Sequence, residues 1–333
     1  MGAFSRWLLR TWYSPHPVWF FIPLAWLFWL LSGLRRGGYA FRIFPTASLL
    51  VPVVVVGNIS LGGTGKTPFV IWLAAELKRR GLRPGIVTRG YGVEAKQARL
   101  VTTASDATQV GDEAVLLARR GGVPVAAGSD RVAAAQLLLG SSPVDVILSD
   151  DGLQHYRLPR RHEIALLDGS RGLGNGWLLP AGPLRESEAR LETVDQVVIK
   201  LAPGGSFTWP EARRMRLNTD TVVSLKDGER RPLASFSGQP VHALAAIGNP
   251  QQFFATLEAA GLAVDGRGLP DHARLTPGDL EFGDERPVFM TEKDAVKCAG
   301  LDLSRHWYVE AAAEFDAAEA AAIVDRVMLS LKG

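Results

Sequence analysis

Short, strongly apolar runs alternate with segments of helical spacing along most of this chain. The run Val53–Val56 is continuous and β-branched, which is typical of a strand buried on both faces. The segment Pro68–Arg80 follows, with apolar residues at helical spacing, namely Phe69, Leu73 and Leu77. The pattern therefore predicts a buried strand followed by an amphipathic helix.

The same alternation continues towards residue 200. The further predicted strands are Gly85–Thr88, Val123–Ala126, Val144–Leu148, Ile164–Leu167 and Gln196–Ile199, and the further predicted helices are Asp112–Arg119 and Asp130–Leu139. Strands that alternate with helices favour an α/β fold with a mainly parallel sheet and helices on both faces.

The second half of the chain changes character at about residue 213. From Arg213 to Pro240 the pattern is polar and irregular, and Asp227-Gly228 indicates a hairpin turn. We expect a core at 45–218, a linker at 219–240 and a smaller α/β domain at 241–333. The elements predicted for that smaller domain are strand Val241–Ile247, helix Pro250–Ala260, strand Pro287–Met290 and helix Glu314–Ser330.

The first 44 residues form a separate apolar segment. Thr11–Leu34 holds four tryptophans and no Asp, Glu, Lys or Arg. As a helix these 24 residues would reach roughly 36 Å, against about 30 Å for a bilayer core. A signal peptide would have a shorter apolar region and small residues before its cut, and a buried core helix is the other alternative. We predict a membrane-associated helix at 1–44, and Pro17 and Pro23 leave open whether it spans the bilayer or lies in the interface.

Composition and charge narrow the class of protein. The chain is 47% hydrophobic and 21% charged with a net charge of +3, which is typical of a packed globular protein. Its first 44 residues carry five arginines and no acid. Beside an apolar run such a cluster favours anionic lipid head groups over nucleic acid. Cys298 is the single cysteine, so no internal disulfide forms, and a reducing compartment fits.

A glycine-rich segment joins the first predicted strand to its helix. Gly57–Thr67 ends in Gly-Lys-Thr, and this order of strand, loop and helix is that of a P-loop. Lys66 would reach the β- and γ-phosphates of ATP, and the Thr67 hydroxyl would bind Mg²⁺. A strict pattern has glycine where this chain has Ser60. The predicted ATP-binding residues are Ser60, Leu61, Gly62, Gly63, Thr64, Gly65, Lys66 and Thr67.

Two acids end another apolar strand. Asp150 and Asp151 follow Val144–Leu148, at the end of a strand where such sheets bind ligands. A P-loop needs a second acid to hold Mg²⁺, so we predict Asp150 as a metal ligand together with Thr67.

A kinase acting on an alcohol also needs a carboxylate base. Asp112-Glu113 open a predicted helix after Gly111, and from spacing alone a base and simple N-terminal helix charge are equally good interpretations. Asp271-His272 is another acid–base candidate. Arg89 and Arg185-Glu186 lie near strand ends, where an arginine would neutralise phosphate charge or form an exposed ion pair.

The ordered set of these motifs resembles the tetraacyldisaccharide 4′-kinase family, the lipid A 4′-kinases of Gram-negative bacteria. The resemblance is dense from about Val51 to Lys200 and continues in patches from Val241 to Lys297. It is carried by Gly57-Asn58, Gly62–Pro68, Arg89–Gly92, Gly111–Glu113, Asp150–His155, Gly172–Gly176, Leu179–Glu186, Asp271-His272 and Thr291–Lys297.

This resemblance implies transfer of the ATP γ-phosphate to the 4′-hydroxyl of a tetraacylated glucosamine disaccharide 1-phosphate, at the cytoplasmic face of the inner membrane. It implies a two-domain, P-loop α/β architecture in which the smaller C-terminal domain closes the active-site cleft. It also implies that Asp112 acts as a base paired with His272, and that Asp150 and Asp151 handle Mg²⁺ and its surroundings. The other implied active-site residues are Asn58, Arg89, Glu113, Gln154, His155, Arg185 and Glu186. Many relatives have a second histidine after His272, whereas this chain has Ala273.

Three other classes of nucleotide-binding protein are alternatives to a kinase. A P-loop ATPase of the partition or maturation type carries a signature lysine where this chain has Leu61, and a GTPase has an Asn-Lys-x-Asp motif that Thr291–Asp294 does not supply. A nucleotide-binding membrane adaptor would need neither Asp112 nor His272.

Overall fold

A computed structural model describes residues 3–90, 97–202, 204–271, 273–298 and 303–332, with the backbone alone for 3–6. Within these ranges the α-helices are α1 Ala3–Trp12, α2 Ile22–Ala40, α3 Lys66–Arg79, α4 Ala107–Val110, α5 Asp112–Gly121, α6 Arg131–Ser141, α7 Pro250–Ala259, α8 Pro277–Leu280, α9 Glu292–Ala295 and α10 Ala317–Lys332. The strands are β1 Val53–Gly57, β2 Pro84–Thr88, β3 Arg99–Val101, β4 Val125–Ala127, β5 Val146–Asp150, β6 His162–Asp168, β7 Gln196–Lys200, β8 Arg213–Asn218, β9 Thr221–Ser224, β10 Arg230–Pro232, β11 Pro240–Ala245, β12 Ala263–Gly268, β13 Val288–Thr291, β14 His306–Val309 and β15 Ala312–Glu314.

Nine strands form a large, mainly parallel sheet in the order β15-β8-β7-β6-β1-β5-β2-β4-β3. Only the outermost pairs, β3 with β4 and β15 with β8, run antiparallel in the described part of this sheet. In the central strand β1, Val54 and Val56 pack into one apolar cluster and Val53 and Val55 into another, on opposite faces. Helices cover both faces, which confirms the predicted α/β architecture.

A second sheet of six strands has the order β10-β9-β14-β13-β11-β12. It begins inside 219–240, so the prediction of a linker there was wrong: β9 pairs with β14 and with β10. The turn at Asp227-Gly228 was predicted correctly, because Ser224 N–H donates to Glu229 O across it at 2.8 Å. The segment looked irregular because these two strands are short and β10 is polar and exposed.

The C-terminal end of the chain returns to the large sheet. Strand β15 pairs with β8, and helix α10 places Ile323 and Val327 in the same apolar cluster as Phe69 of α3. The prediction of one unit from 241 to 333 therefore needs correction, because the last elements pack on the first sheet.

The N-terminal segment is divided into two helices. The break after α1 contains Pro15 and Pro17, and a short 3₁₀ turn, Trp19–Phe21, precedes α2, whose first turn holds Pro23. Proline lacks an N–H and fits only in a helix's first turn, which explains the division. The predicted single membrane helix is not supported: in the described part of the chain, no helix combines the length and apolarity that a membrane crossing requires.

Ile323→Ala should destabilise the fold much more than Leu329→Ala on the same helix. Ile323 is fully buried, whereas Leu329 is 72% exposed. Emptying a buried isoleucine site costs about 2–5 kcal/mol, while an exposed truncation costs about 0.5 kcal/mol or less. Urea unfolding of both variants measures the difference, and equal losses would contradict the packing of α10 on the large sheet.

Candidate active site

The loop between β1 and α3 has the backbone shape of a phosphate-binding loop. Gly62 and Gly65 have φ of 122° and 81°, a region that favours glycine. At Gly63 an added Cβ would meet nothing within 4 Å, so its backbone is open to a ligand. Helix α3 begins at Lys66, so free N–H groups and the positive end of the helix dipole lie at this loop.

Neighbouring segments hold this loop in place. Leu61 N–H donates to Pro183 O at 2.9 Å, and Arg185 N–H donates to Ile59 O at 2.7 Å. On the other side, the Lys200 ammonium donates to Gly63 O at 3.0 Å. Lys200 itself is buried and lies 2.6 Å from an Asp168 carboxylate oxygen. The loop is thus held on two sides by other parts of the chain.

Asp151 is bound by the cations of the site. Lys66 Nζ lies 3.5 Å and Arg185 Nη1 lies 3.3 Å from its carboxylate. Burial works to raise the pKa of Asp151, but Lys66 and Arg185 outweigh it and lower that pKa to about 2. Asp151 is therefore ionised and orients the lysine of the loop.

Asp150 has a contrasting environment. It is 1% exposed, and its Oδ2 accepts a hydrogen bond from the Thr88 hydroxyl at 3.4 Å. Burial, and then the negative charges of Glu113 and Asp151, raise the pKa of Asp150 to about 7. Among the described residues its Oδ1 has no hydrogen-bond partner. A buried carboxylate oxygen that lacks a partner fits a divalent cation, and hard cations such as Mg²⁺ prefer oxygen ligands.

The acids of α5 face basic residues of the helical segment that follows β13 of the second sheet. Asp112 is buried at the first position of the helix, and its Oδ1 accepts from Glu113 N–H at 2.9 Å. Lys293 Nζ lies 2.9 Å from the Glu113 carboxylate, and Lys297 Nζ lies 3.8 Å from Asp112. These contacts join α5 to the helical segment after β13 at the site.

Glu186 is held in a buried polar network. Gln154 Nε2 donates to its carboxylate at 2.7 Å and also to Asn58 O at 3.1 Å. The Tyr156 hydroxyl donates to the other oxygen of Glu186, and Arg190 Nε lies 3.3 Å away. Asn58, Gln154 and Glu186, which the resemblance grouped, are thus brought together beneath the loop.

Arg131 is a buried cation that the sequence did not single out. It is 2% exposed, and Nη1 donates to Gly128 O at 2.9 Å. Its Nε and Nη2 have no hydrogen-bond partner among the described residues. Burial lowers the pKa of Arg131 to about 10 against the opposing effect of Asp150 and Asp151. Asp130 caps helix α6, which made this segment look purely structural.

The remaining predicted residues differ in how far the structure describes them. Arg89 directly follows β2 and is exposed. His155 is half-buried, and burial, followed by the charges of Arg131 and Arg89, lowers its pKa to about 4. His272 lies outside the described residues, as does Tyr91 of the Arg89–Gly92 motif.

The N-terminal segment lies against the same region. Trp12 Nε1 donates to Pro180 O at 2.9 Å, and the Tyr13 hydroxyl donates to Leu61 O of the loop at 3.4 Å. Helix α2 borders an apolar cavity of about 730 Å³, whose lining includes Trp26, Trp29, Leu30, Trp177 and Leu178. The outer side chains of the segment are exposed, as in Trp19 at 78%.

A buried parallel strand, a glycine loop that opens a helix, and an acid at the end of the adjacent strand define a P-loop protein that binds nucleoside triphosphates. A family model described as tetraacyldisaccharide-1-P 4′-kinase (LpxK) matches residues 17–329. The chain belongs to this family.

Relatives match over nearly the whole chain. A tetraacyldisaccharide 4′-kinase of Methylobacillus flagellatus is 47% identical and covers 98% of this chain and 97% of its own. One from Alkalilimnicola ehrlichii is 52% identical over 86% of both chains. A crystal structure of LpxK from Aquifex aeolicus in complex with ATP has a TM-score of 0.78 and 27% identity, and covers 93% of this chain and 98% of the other.

His155→Asn should make stability less sensitive to acid. In the folded protein the pKa of His155 is lowered from 6.5 to about 4. Between pH 6.5 and pH 4 the unfolded chain therefore binds more protons at this ring than the folded chain does. The stabilising effect of the neutral ring is full above pH 6.5 and is lost as the pH falls towards 4, by about 1–3 kcal/mol. Urea unfolding at pH 8 and at pH 5 measures this loss of stability. His16→Asn, at an exposed position, is the control, and an unchanged acid loss in His155→Asn would contradict the assignment.

Proposed function

We propose that this protein transfers the γ-phosphate of ATP to the 4′-hydroxyl of a tetraacylated glucosamine disaccharide 1-phosphate, a step of lipid A synthesis. One observation carries the proposal: the phosphate-binding loop, the buried Asp150 and the Asp112–Glu113 pair lie together, in a chain that belongs to this family along almost its whole length. The loop supplies phosphate recognition, and the acids supply what a hydroxyl acceptor needs.

ATP would bind with its phosphates on the N–H groups of residues 60–67 and on the Lys66 ammonium. Thr67 and Asp150 would hold Mg²⁺, and the unpartnered Oδ1 of Asp150 supports that choice. When bound, the cation would neutralise charge that builds up on the transferring phosphoryl group. Asp151 would keep Lys66 oriented, and Arg185 would face the phosphates.

Asp112 would accept the proton of the acceptor hydroxyl, paired with His272 as the family resemblance implies. The position of Asp112 supports the first role, because its carboxylate is buried at the start of α5 on the side of the second sheet. We also propose that the second sheet forms the smaller domain that closes the cleft over the core.

The acceptor is a lipid, and two features support this. The apolar cavity of about 730 Å³ beside α2 has room for acyl chains. Tryptophan and leucine side chains stand exposed along α2, and the exposed Arg35 lies near its C-terminal end. We propose that the segment lies in the interface of anionic lipids at the cytoplasmic face of the inner membrane of a Gram-negative bacterium.

Asp112→Asn should lower phosphoryl transfer by about 10²–10⁴-fold, because it removes a base, and should change ATP affinity little. The detergent-solubilised protein is incubated with labelled ATP and the disaccharide precursor, and the 4′-phosphorylated lipid is separated and counted. ATP affinity is measured separately by equilibrium titration.

Two results would contradict these assignments. Steady ATP hydrolysis by the unsubstituted protein without lipid product favours an ATPase of the partition or maturation type. Equal losses of ATP binding and transfer in Asp112→Asn refute the base. Lys66→Met serves as the comparison, since it should weaken ATP binding itself.

Replacing Trp19 and Leu34 by serine should weaken binding to anionic vesicles at least about tenfold, because burying one large apolar side chain is worth about 1.5–3 kcal/mol. Vesicle cosedimentation measures binding, and transfer in detergent should stay near normal. Leu329→Ser, at a leucine of similar exposure on α10, is the control. Unchanged binding of the double variant would refute the membrane surface.

A further inference from the structure

Lys297 connects the second sheet to the acid that opens α5. Its ammonium lies 2.8 Å from Asp294 Oδ1 and 3.8 Å from Asp112 Oδ2. The longer distance is that of an ion pair without a close hydrogen bond, so Lys297 acts on Asp112 through its charge.

Asp294 holds that ammonium in place. Asp294 is fully buried, and its other oxygen accepts from Ala246 N–H at 3.0 Å and from the Thr291 hydroxyl at 2.7 Å. The Lys297 side chain is itself largely buried, so its position is set by its ion pair with Asp294.

The other charges around Asp112 differ in sign. Glu113, next on the same helix, pairs with Lys293, and Lys293 also interacts with Asp112 and with Asp271. Arg131 and Asp150 also interact electrostatically with Glu113. Triphosphate would add more negative charge here. Among the described residues, Lys297 and Lys293 are the cations that the second sheet brings to Asp112.

We propose that Lys297 is a positioning residue that keeps the Asp112 carboxylate ionised and ready to accept a proton. The inference rests on the proposed function. In that reaction the acceptor O–H bond breaks and its proton goes to Asp112. The acceptor oxygen then bonds to the γ-phosphorus as the bond to the β-phosphate oxygen breaks, and ADP leaves. Lys297 exchanges no proton, and its charge favours the reactive form of the base.

Lys297→Gln tests the charge and keeps a hydrogen-bond donor for Asp294. A cation at this distance shifts a carboxylate's titration by about 1–3 units, so the acidic limb of the kcat/KM profile should move to higher pH by at least about one unit. The variant should then lose most kcat/KM at the acidic end of the profile, at least about tenfold on the limb itself, and recover as the pH rises above the limb. Lys297→Arg should retain the limb of the unsubstituted protein.

Lys226→Gln makes the same change at an exposed lysine in the β9–β10 turn and should leave the profile unchanged. A loss in Lys297→Gln that is uniform across pH, with an unmoved limb, would overturn the proposal and leave Lys297 with a structural role.

A stability measurement, which does not depend on activity, tests the Lys297–Asp112 pair separately from the proposed function. The urea midpoint should fall more when Lys297→Gln is made in the natural chain than in an Asp112→Asn background, because only the former loses the ion pair. If the urea midpoint falls equally in both backgrounds, the ion pair between Lys297 and Asp112 is refuted. Absence of lipid product from the unsubstituted protein refutes the proposed function, while unequal falls would still establish the pair.

Discussion

Buried charge at and just after the carboxyl ends of β5 and β4 is the constraint on which the rest of the structure depends. Asp150 and Arg131 are both almost completely buried, and among the described residues each keeps polar atoms without partners. Removing charges from water is costly unless they are paired. The surrounding structure must therefore be rigid enough to hold them. The fixed loop and the two-faced core of β1 provide that rigidity.

Much of the core could be predicted because its signals are local. Val53–Val56 is buried on both faces and Gly57–Thr67 carries its own turn chemistry, so each shows its structure within a few residues. Seven strands were not predicted, β3, β8, β9, β10, β12, β14 and β15, and most of these lie at sheet edges or in the second sheet. Edge strands such as β10 are polar and short, so their pairing depends on distant partners that a local pattern does not contain.

The residues of the site also fall into those that a local pattern predicts and those that it does not. Lys66 was predicted from the P-loop motif and Asp150 from its place at the end of a strand, and the structure brings both to the same edge of the sheet. Arg131 was missed because its neighbour Asp130 is a good helix cap, and a cap explains a helix start without any ligand. Lys200 and Lys297 were missed as site residues because their contacts, with Gly63 and Asp112, join positions more than a hundred residues apart.

Ion pairs also attach helix α5 to the segments that follow β13 and β14 of the second sheet. Arg120 of α5 pairs with both Glu292 and Glu310, so α5 is bound to the second sheet near its C-terminal end as well as at Asp112 and Glu113. An ion pair at each end fixes the direction of the helix, and hence where its first carboxylate lies, more firmly than one pair could. Because Arg120 is away from the P-loop, a change there would reach the site through the orientation of α5. The second sheet thus acts on the site by placing opposite charges at both ends of the helix that carries Asp112.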